Sequence, residues 1–484
     1  MNLKKMFSVE RSIARWVEDL YNRRRRIRVV VLGSKCSGKT VFLTALASNL
    51  LNHKGPCRDD QDVNAFNLNQ WEACVEEGAE GPRDPQIPDF PYGCYREGFA
   101  KPQPEWPRKT TSEMSVLRLP LVFRKNGHED KSVLLEFLDL PGERIADLPM
   151  VEKAYREWCK WFETSFAGQN AANKAGRDYF EKAKTCQSRE ELFSAYKEYL
   201  KVEYRRYSPW VAPSTVKLTR EGKGTGFLQE LDSRPLGLDA ESQFVPVPDE
   251  FFDKKSERRE WVKEFSRAYD KYKKVIVEPI RDWVQDADQM VYLLDVLNVL
   301  KCGVDAYNQE RKFGGAVLGV FRRHKTRMIG GAIVDYFASM LSTHIKKAFL
   351  VVTKADLAMS DDSGNLIALA KEMLGKELRG LSDEWDETAV RTCAAVHTVR
   401  TKKNEEGGEV PYARVAADAP ESEYAQVHVP KHWPDSTAWR ENIARGDYWF
   451  ADTWPLFDER EDASPPQRGL DDLVKALLAN VLGD

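Results

Sequence analysis

The sequence lacks the paired cysteines and histidines that a disulfide framework or zinc site requires. Its eight cysteines (Cys36, Cys57, Cys74, Cys94, Cys159, Cys186, Cys302 and Cys393) form no C-x-x-C pair, its seven histidines are scattered, and no H-E-x-x-H occurs. A chain of 484 residues can bury a core without such staples, so these read as reduced thiols. Charge of one sign is also lacking, with 73 Lys plus Arg against 76 Asp plus Glu and a net charge of −3. That balance argues against a nucleic-acid partner, which would call for a broad basic face and not the single run Arg23-Arg24-Arg25-Arg26. No stretch approaches the about 18 uncharged apolar residues of a membrane span. The most apolar region, Gly314 to Leu341, is broken by Arg322-Arg323-His324-Lys325-Thr326-Arg327. The start, Met1 to Glu10, lacks the apolar core of a secretory signal, so a cytoplasmic location is expected.

Residues 1–26 read as an amphipathic helix with Val9, Ile13, Trp16, Val17 and Leu20 on one face and four arginines at its end. Such a helix suits packing on its own domain, or lying peripherally on an anionic inner membrane. Periodicity then disappears from His53 to Thr111, where prolines alternate with aromatics. Two β-rich runs, Ser115–Phe123 and Lys131–Asp139, flank Asn126-Gly127, the signal of a type I′ hairpin. Pro120 cannot donate to a ladder and predicts that the first of these strands lies at a sheet edge. Residues 143–286 are mostly helical in pattern, with a loop-like break from Gly222 to Pro248. Further strand runs are Gln289–Asp295, Lys347–Val352 and Ala389–Val396; a short hairpin is expected within 400–467 and a terminal helix striped by Leu470, Leu473, Val474, Leu477 and Leu478.

The chemistry gathers at strand ends. Ile27–Leu32 is a buried strand by composition, and Gly33-Ser34-Lys35-Cys36-Ser37-Gly38-Lys39-Thr40 follows it in the pattern G-x-x-x-x-G-K-[ST], with a helix from Val41 onward. A glycine-bounded loop brings backbone N–H groups close to a phosphate, and the helix N-terminus adds its dipole. Lys39 would reach the β- and γ-phosphates and Thr40 would bind Mg²⁺. Lys35 is a long cation inside that loop, directed to solvent, a carboxylate or phosphate. Asp139-Leu140-Pro141-Gly142 ends the returning strand of the hairpin, a position suited to a second Mg²⁺ partner at Asp139 and a backbone N–H to the γ-phosphate at Gly142. Thr353-Lys354-Ala355-Asp356 follows a further strand. The Asp356 carboxylate could accept both the ring N–H and the exocyclic amine of guanine, while the Lys354 stem covers the base. Cys393-Ala394-Ala395 closes the last strand, where Ala394 or Ala395 would offer an N–H to the guanine carbonyl.

These four elements in this order resemble the Ras-like GTPase class. The resemblance implies an α/β P-loop NTPase with a Ras-like mixed sheet, helices on both faces, and a large, mainly helical insertion. The sequence departs from the class in having Thr353 where Asn is usual, Glu143 where small GTPases carry Gln, and a domain-sized insertion between Asp139 and Lys354. More closely, the phosphate loop behind the four arginines, Phe137-Leu138-Asp139-Leu140-Pro141-Gly142-Glu143-Arg144 and the distant Thr353–Asp356 resemble the bacterial YcjX family of stress-associated GTP-binding proteins. That resemblance implies a guanine nucleotide and Mg²⁺ as ligands, an envelope-stress role and a membrane-associated partner. The expected organisation is a nucleotide-binding domain in two parts, 27–142 (with a long switch I region, 53–113) and 287–484, around an inserted helical domain at 143–286.

Hydrolysis needs an oriented water, a cation on the transition-state charge and a switch threonine on Mg²⁺. Thr110 and Thr111 are the threonine candidates, and Arg108 stands at the Arg-x-x-Thr spacing by which Gα subunits supply an arginine finger. Glu143 sits where a water-orienting side chain belongs, so slow turnover is expected, with Arg144 as a rival cation. Two other readings stay open: a P-loop ATPase in which Asp356 is structural, and a nucleotide-binding scaffold for an envelope-stress complex with little turnover.

Overall fold

The computed structural model of the chain describes residues 25–34, 36–53, 66–69, 71–75, 87–101, 105–107, 114–125, 128–140, 142–168, 174–206, 216–221, 225–230, 243–285, 287–321, 345–358, 362–379, 381, 389–403, 409–416, 423–427, 430, 432–434, 443–456 and 465–482. The helix expected over residues 1–26 ahead of Arg25, and Lys35, Arg108, Thr110, Thr111, Asn126, Gly127 and Pro141, lie outside these residues.

The strands are β1 (Arg25–Gly33), β2 (Trp71–Val75), β3 (Ser115–Lys125), β4 (His128–Asp139), β5 (Val216–Glu221), β6 (Thr225–Glu230), β7 (Gln289–Leu294), β8 (Lys347–Val352), β9 (Val390–Thr392), β10 (Val399–Lys403), β11 (Glu409–Ala413) and β12 (Ala425–Gln426). Besides single turns, the helices are α1 (Lys39–Leu51), α2 (Tyr92–Phe99), α3 (Tyr155–Phe166), α4 (Lys174–Thr185), α5 (Arg189–Arg206), α6 (Arg259–Tyr272), α7 (Glu278–Gln285), α8 (Val296–Cys302), α9 (Val304–Val320), α10 (Ser363–Ala370) and α11 (Leu470–Leu482). Seven strands form one sheet in the order β2-β3-β4-β1-β7-β8-β9. The strands from β4 to β9 in that order run parallel, and β3 and β2 are antiparallel additions.

Side chains of β1 alternate between the two faces of the sheet, as period two demands. Ile27, Val29 and Val31 pack on one face with Phe42 and Leu46 of α1 and Leu473 and Leu477 of α11. Val30 and Leu32 pack on the other, in a core that continues through Leu297 of α8 and Val317 of α9 into the aromatic cluster of the helical region. Central strands covered on both sides must be apolar where they are covered, which is why β1 from Val29 to Leu32 and β7 from Met290 to Leu294 read as unbroken hydrophobic runs. In the helical region Trp158, fully buried, packs against Tyr155, Phe162, Phe244 and Tyr269.

Four local expectations are corrected. The Pro120 rule puts β3 at an edge, but β2 lies outside it. Among the described residues the β2 pairing covers Leu121–Lys125, while Asp89 bridges Val116 on the other side of Pro120. Among the described residues no partner on that side is paired with Pro120, so the missing N–H needs no edge. Within the aperiodic stretch 53–111 lie β2 and α2, each too short to establish a period. The supposed loop Gly222–Pro248 begins inside a hairpin of β5 and β6, whose strands pair from Val216↔Glu230 to Glu221↔Thr225. The last strand shrinks from Ala389–Val396 to Val390–Thr392, because Ala394 leaves the ladder to bridge Arg468.

Candidate functional site

The carboxyl ends of β1, β7, β8 and β9 converge on one side of the sheet, where open α/β folds place their ligands. β1 ends at Gly33, whose φ of +148° and close approach to β7 both exclude a side chain. A Cβ there would lie 2.5 Å from the Leu293 carbonyl oxygen and 2.5 Å from Ser37 Oγ. The loop then turns through left-handed residues at Cys36 and Gly38, the kind of alternation that gathers backbone N–H groups into an anion-binding concavity. Ser37 donates its N–H to Ser34 O at 3.1 Å. Buried Lys39 donates from Nζ to Gly33 O at 2.7 Å and Ser34 O at 3.1 Å, so its ammonium is held at the loop's own carbonyls. Helix α1 starts at Lys39 behind Gly38, which has no side chain to occupy the first N–H groups.

The second element lies beside the loop. Fully buried Asp139 ends β4 in register with Val31 of β1, and the chain resumes at Gly142 in a single helical turn, Gly142–Ile145, that contains Glu143. This turn is tied to the helical region. The Tyr272 hydroxyl, at the end of α6, donates to Asp147 Oδ2 at 2.6 Å and accepts from Arg144 Nη1 at 3.2 Å. The π-helical turn Lys273–Val277 follows immediately.

At the far end of the cavity Thr353 follows β8, buried, and among the described residues its hydroxyl has no hydrogen-bond partner. Lys354 adopts a left-handed backbone and donates from Nζ to Asp295 Oδ2 at 2.5 Å. Burial works against the charge, but the Asp295 carboxylate outweighs it and raises the Lys354 pKa. Asp295, which directly follows β7, also accepts the Asn298 N–H and so caps α8. Asp356 is buried, and its Oδ2 accepts both the N–H and the hydroxyl of Thr398 at 2.6 Å each. One of the two oxygens that could read guanine is thus already engaged. Burial pushes the Cys393 thiol up, which keeps that side chain protonated and inert.

A cavity of about 560 Å³ joins these ends. Cys36, Gly38, Lys39, Thr40 and Val41 line it at the phosphate loop, Gly142 at the second element, and Thr353, Lys354, Asp356, Ala394 and Ala395 at the other end. Sequence reasoning missed Asp295, Asn298, Thr398, Phe450, Thr453 and Trp454, which line it too. Asp295 carries the same signal as Asp139, a carboxylate closing a strand; Thr398 and the 450–454 strap carry none. Trp106 and Pro107, also in the wall, are joined to the strap by the Trp106 Nε1–H to Thr453 O bond at 2.7 Å.

The residues fit a magnesium ion carried in with phosphates. Among the described residues no three His, Cys, Asp or Glu cluster as a metal cage. Mg²⁺ does not need one, since it keeps waters and phosphate oxygens and takes one or two hard protein ligands. The Thr40 hydroxyl lines the cavity at the start of α1 and the Asp139 carboxylate lies at the end of the adjoining strand, both oxygen donors of that kind.

A model of the YcjX-like family, DUF463, matches residues 27–482. The chain belongs to the YcjX-like family. It is similar to the Ras-like GTPase YcjX of Escherichia coli (strain K12), 25% identical over 385 residues and covering 75% of each chain. It is also similar to the Ras-like GTPase YcjX of Shewanella oneidensis (strain MR-1), 23% identical over 380 residues and 72% of each. The mixed sheet with helices on both faces in this YcjX-like chain is that of a P-loop NTPase. Among its described residues no helix is long and apolar enough to cross a membrane.

Proposed function

We propose that this YcjX-like chain binds GTP with Mg²⁺, hydrolyses it slowly, and acts as a nucleotide-controlled conformational switch in a bacterial stress response. The observation that carries the reading is the single cavity with the phosphate loop at one end and Asp356 at the other. The names of the similar proteins, Ras-like GTPases, support a nucleotide hydrolase of this kind. In this reading Lys39 and the loop from Gly33 to Val41 hold the phosphates, Thr40, Asp139 and Thr110 or Thr111 take the metal, and Lys354, Asp356, Ala394 and Ala395 take the base. The metal supplies charge neutralisation across the β- and γ-phosphates. Arg108 serves as the cation on the transition state and Glu143 as the group that orients or deprotonates water. The switch reading is supported by Tyr272, whose bonds to Asp147 and Arg144 join the helical region to the turn after Gly142. The stress role and the membrane-associated partner follow from the family resemblance.

Binding of GDP, GTP, ADP and ATP with Mg²⁺ to the wild type and to Asp356→Ala tests the reading. Guanine nucleotides are expected to bind at least about tenfold tighter, or 1.4 kcal/mol, and the variant to lose that preference. Equal or adenine-preferring binding would replace the GTPase with a P-loop ATPase.

A further inference from the structure

The base end of the cavity contains a hydrogen-bond chain that the motif does not include. Thr398 is 3% exposed and gives both of its donors, backbone N–H and hydroxyl, to Oδ2 of Asp356. The Thr398 oxygen then accepts the Thr453 hydroxyl at 3.0 Å. The Thr453 carbonyl in turn accepts the Trp106 indole N–H at 2.7 Å. The chain therefore starts two residues before Arg108 and ends on the carboxylate that faces the base.

We propose that Thr398 is a positioning residue for base recognition, holding the Asp356 carboxylate in the plane that reads guanine and itself held by the strap residue Thr453. The proposal rests on the reading of Asp356 as the base-reading group. Two donors converge on one oxygen and fill its two lone-pair directions, which restrains rotation about the terminal torsion of Asp356 and leaves Oδ1 for the base. A terminal carboxylate torsion is otherwise broad and twofold. A guanine edge presents its ring N–H and amine in one plane, so a carboxylate free to swivel discriminates less. Because Oδ2 is already engaged, Oδ1 carries the base contact, and its direction sets specificity.

The test is calorimetric titration of Mg-GDP and Mg-ADP into the full chain. Thr398→Val keeps the shape and the backbone N–H and removes only the hydroxyl; Thr398→Ser restores the hydroxyl. Loss of one charge-assisted hydrogen bond sets the scale, so the guanine-over-adenine affinity ratio is expected to fall about tenfold in Thr398→Val. ADP affinity is expected to stay within about twofold, and Thr398→Ser to recover most of the ratio. Should Thr398→Val fail to fold, Thr453→Val decides, with a smaller fall in the same ratio expected. A wild type that prefers guanine beside Thr398→Val with an unchanged ratio would overturn the positioning role and leave the GTPase reading standing. A uniform loss of affinity for both nucleotides would also overturn it, marking Thr398 as structural. A wild type with no guanine preference would overturn the GTPase reading and this proposal with it.

Discussion

The two glycines that bound the phosphate loop respond differently to the same added methyl group. On Gly38 the methyl meets nothing within 4 Å, so its folding cost is confined to a left-handed backbone at φ +91°. For a residue with a Cβ that costs about 1–2 kcal/mol. On Gly33 it lands 2.5 Å from the carbonyl oxygen of Leu293. That residue is the register partner of Gly33 on β7, in the middle of the sheet, and its backbone cannot step aside alone. Overpacking adds about 1–3 kcal/mol to the backbone strain, so Gly33→Ala is expected to cost about 2–5 kcal/mol in total. Nucleotide binding isolates Gly38. Gly38 lines the cavity, and in the proposed reading a phosphate approaches the loop closely there, so a methyl stands in its way. Gly38→Ala is expected to stay folded yet lose Mg-GDP affinity by about a hundredfold, or about 2.8 kcal/mol. Urea unfolding followed by tryptophan fluorescence measures the first quantity and calorimetric titration the second. Binding of Mg-GDP to Gly38→Ala within threefold of wild type would refute the placement of phosphates on this loop. An unfolding midpoint of Gly33→Ala equal to that of wild type would refute the close approach to β7.

Tyr272→Phe removes the hydroxyl between Asp147 and Arg144. It is expected to cost about 1–3 kcal/mol and to shrink the nucleotide-dependent hydrogen-exchange difference over 259–285; identical wild-type maps with GDP and a GTP analogue would contradict the coupling. Glu136→Ala takes away a carboxylate, 1% exposed, that accepts from Arg26 at 2.7 and 2.8 Å and from Arg28 at 3.0 Å. A loss of about 3–5 kcal/mol is expected in urea unfolding, and a shift within error would show that the arginines reach other partners. Burial lowers the pKa of His53 and of His397, so the folded chain holds both neutral where the unfolded chain takes up protons. Stability is therefore whole above the unfolded value near about 6.5 and is lost as pH falls below it, toward the depressed folded values. His53→Gln should flatten that fall in a pH series of unfolding midpoints, and an unchanged slope would remove His53 as its source.

How far the site could be read from the chain depends on how local its causes are. Gly33–Thr40 is legible because strand, loop and helix are consecutive and each glycine answers a constraint within a few residues, down to the Cβ that would strike Leu293. Asp139 and Asp356 are legible because a parallel sheet brings strand ends to one side, so sequence order becomes position. Asp295 obeys the same rule and could have been included. Pro120 shows where local reasoning stops: it states which N–H is missing, but not that β2 pairs with the rest of the same strand from outside. The base end shows it again. Thr398 reaches Asp356 from the position just before β10, and Thr453 and Trp106 arrive from distant parts of the chain to meet there. None of the three lies in a period or a motif, since what selects them is the closure of two loops over the same carboxylate. Motif spacing can therefore point to a strand-end carboxylate such as Asp356, whereas the groups that hydrogen-bond to it must be found in the folded chain.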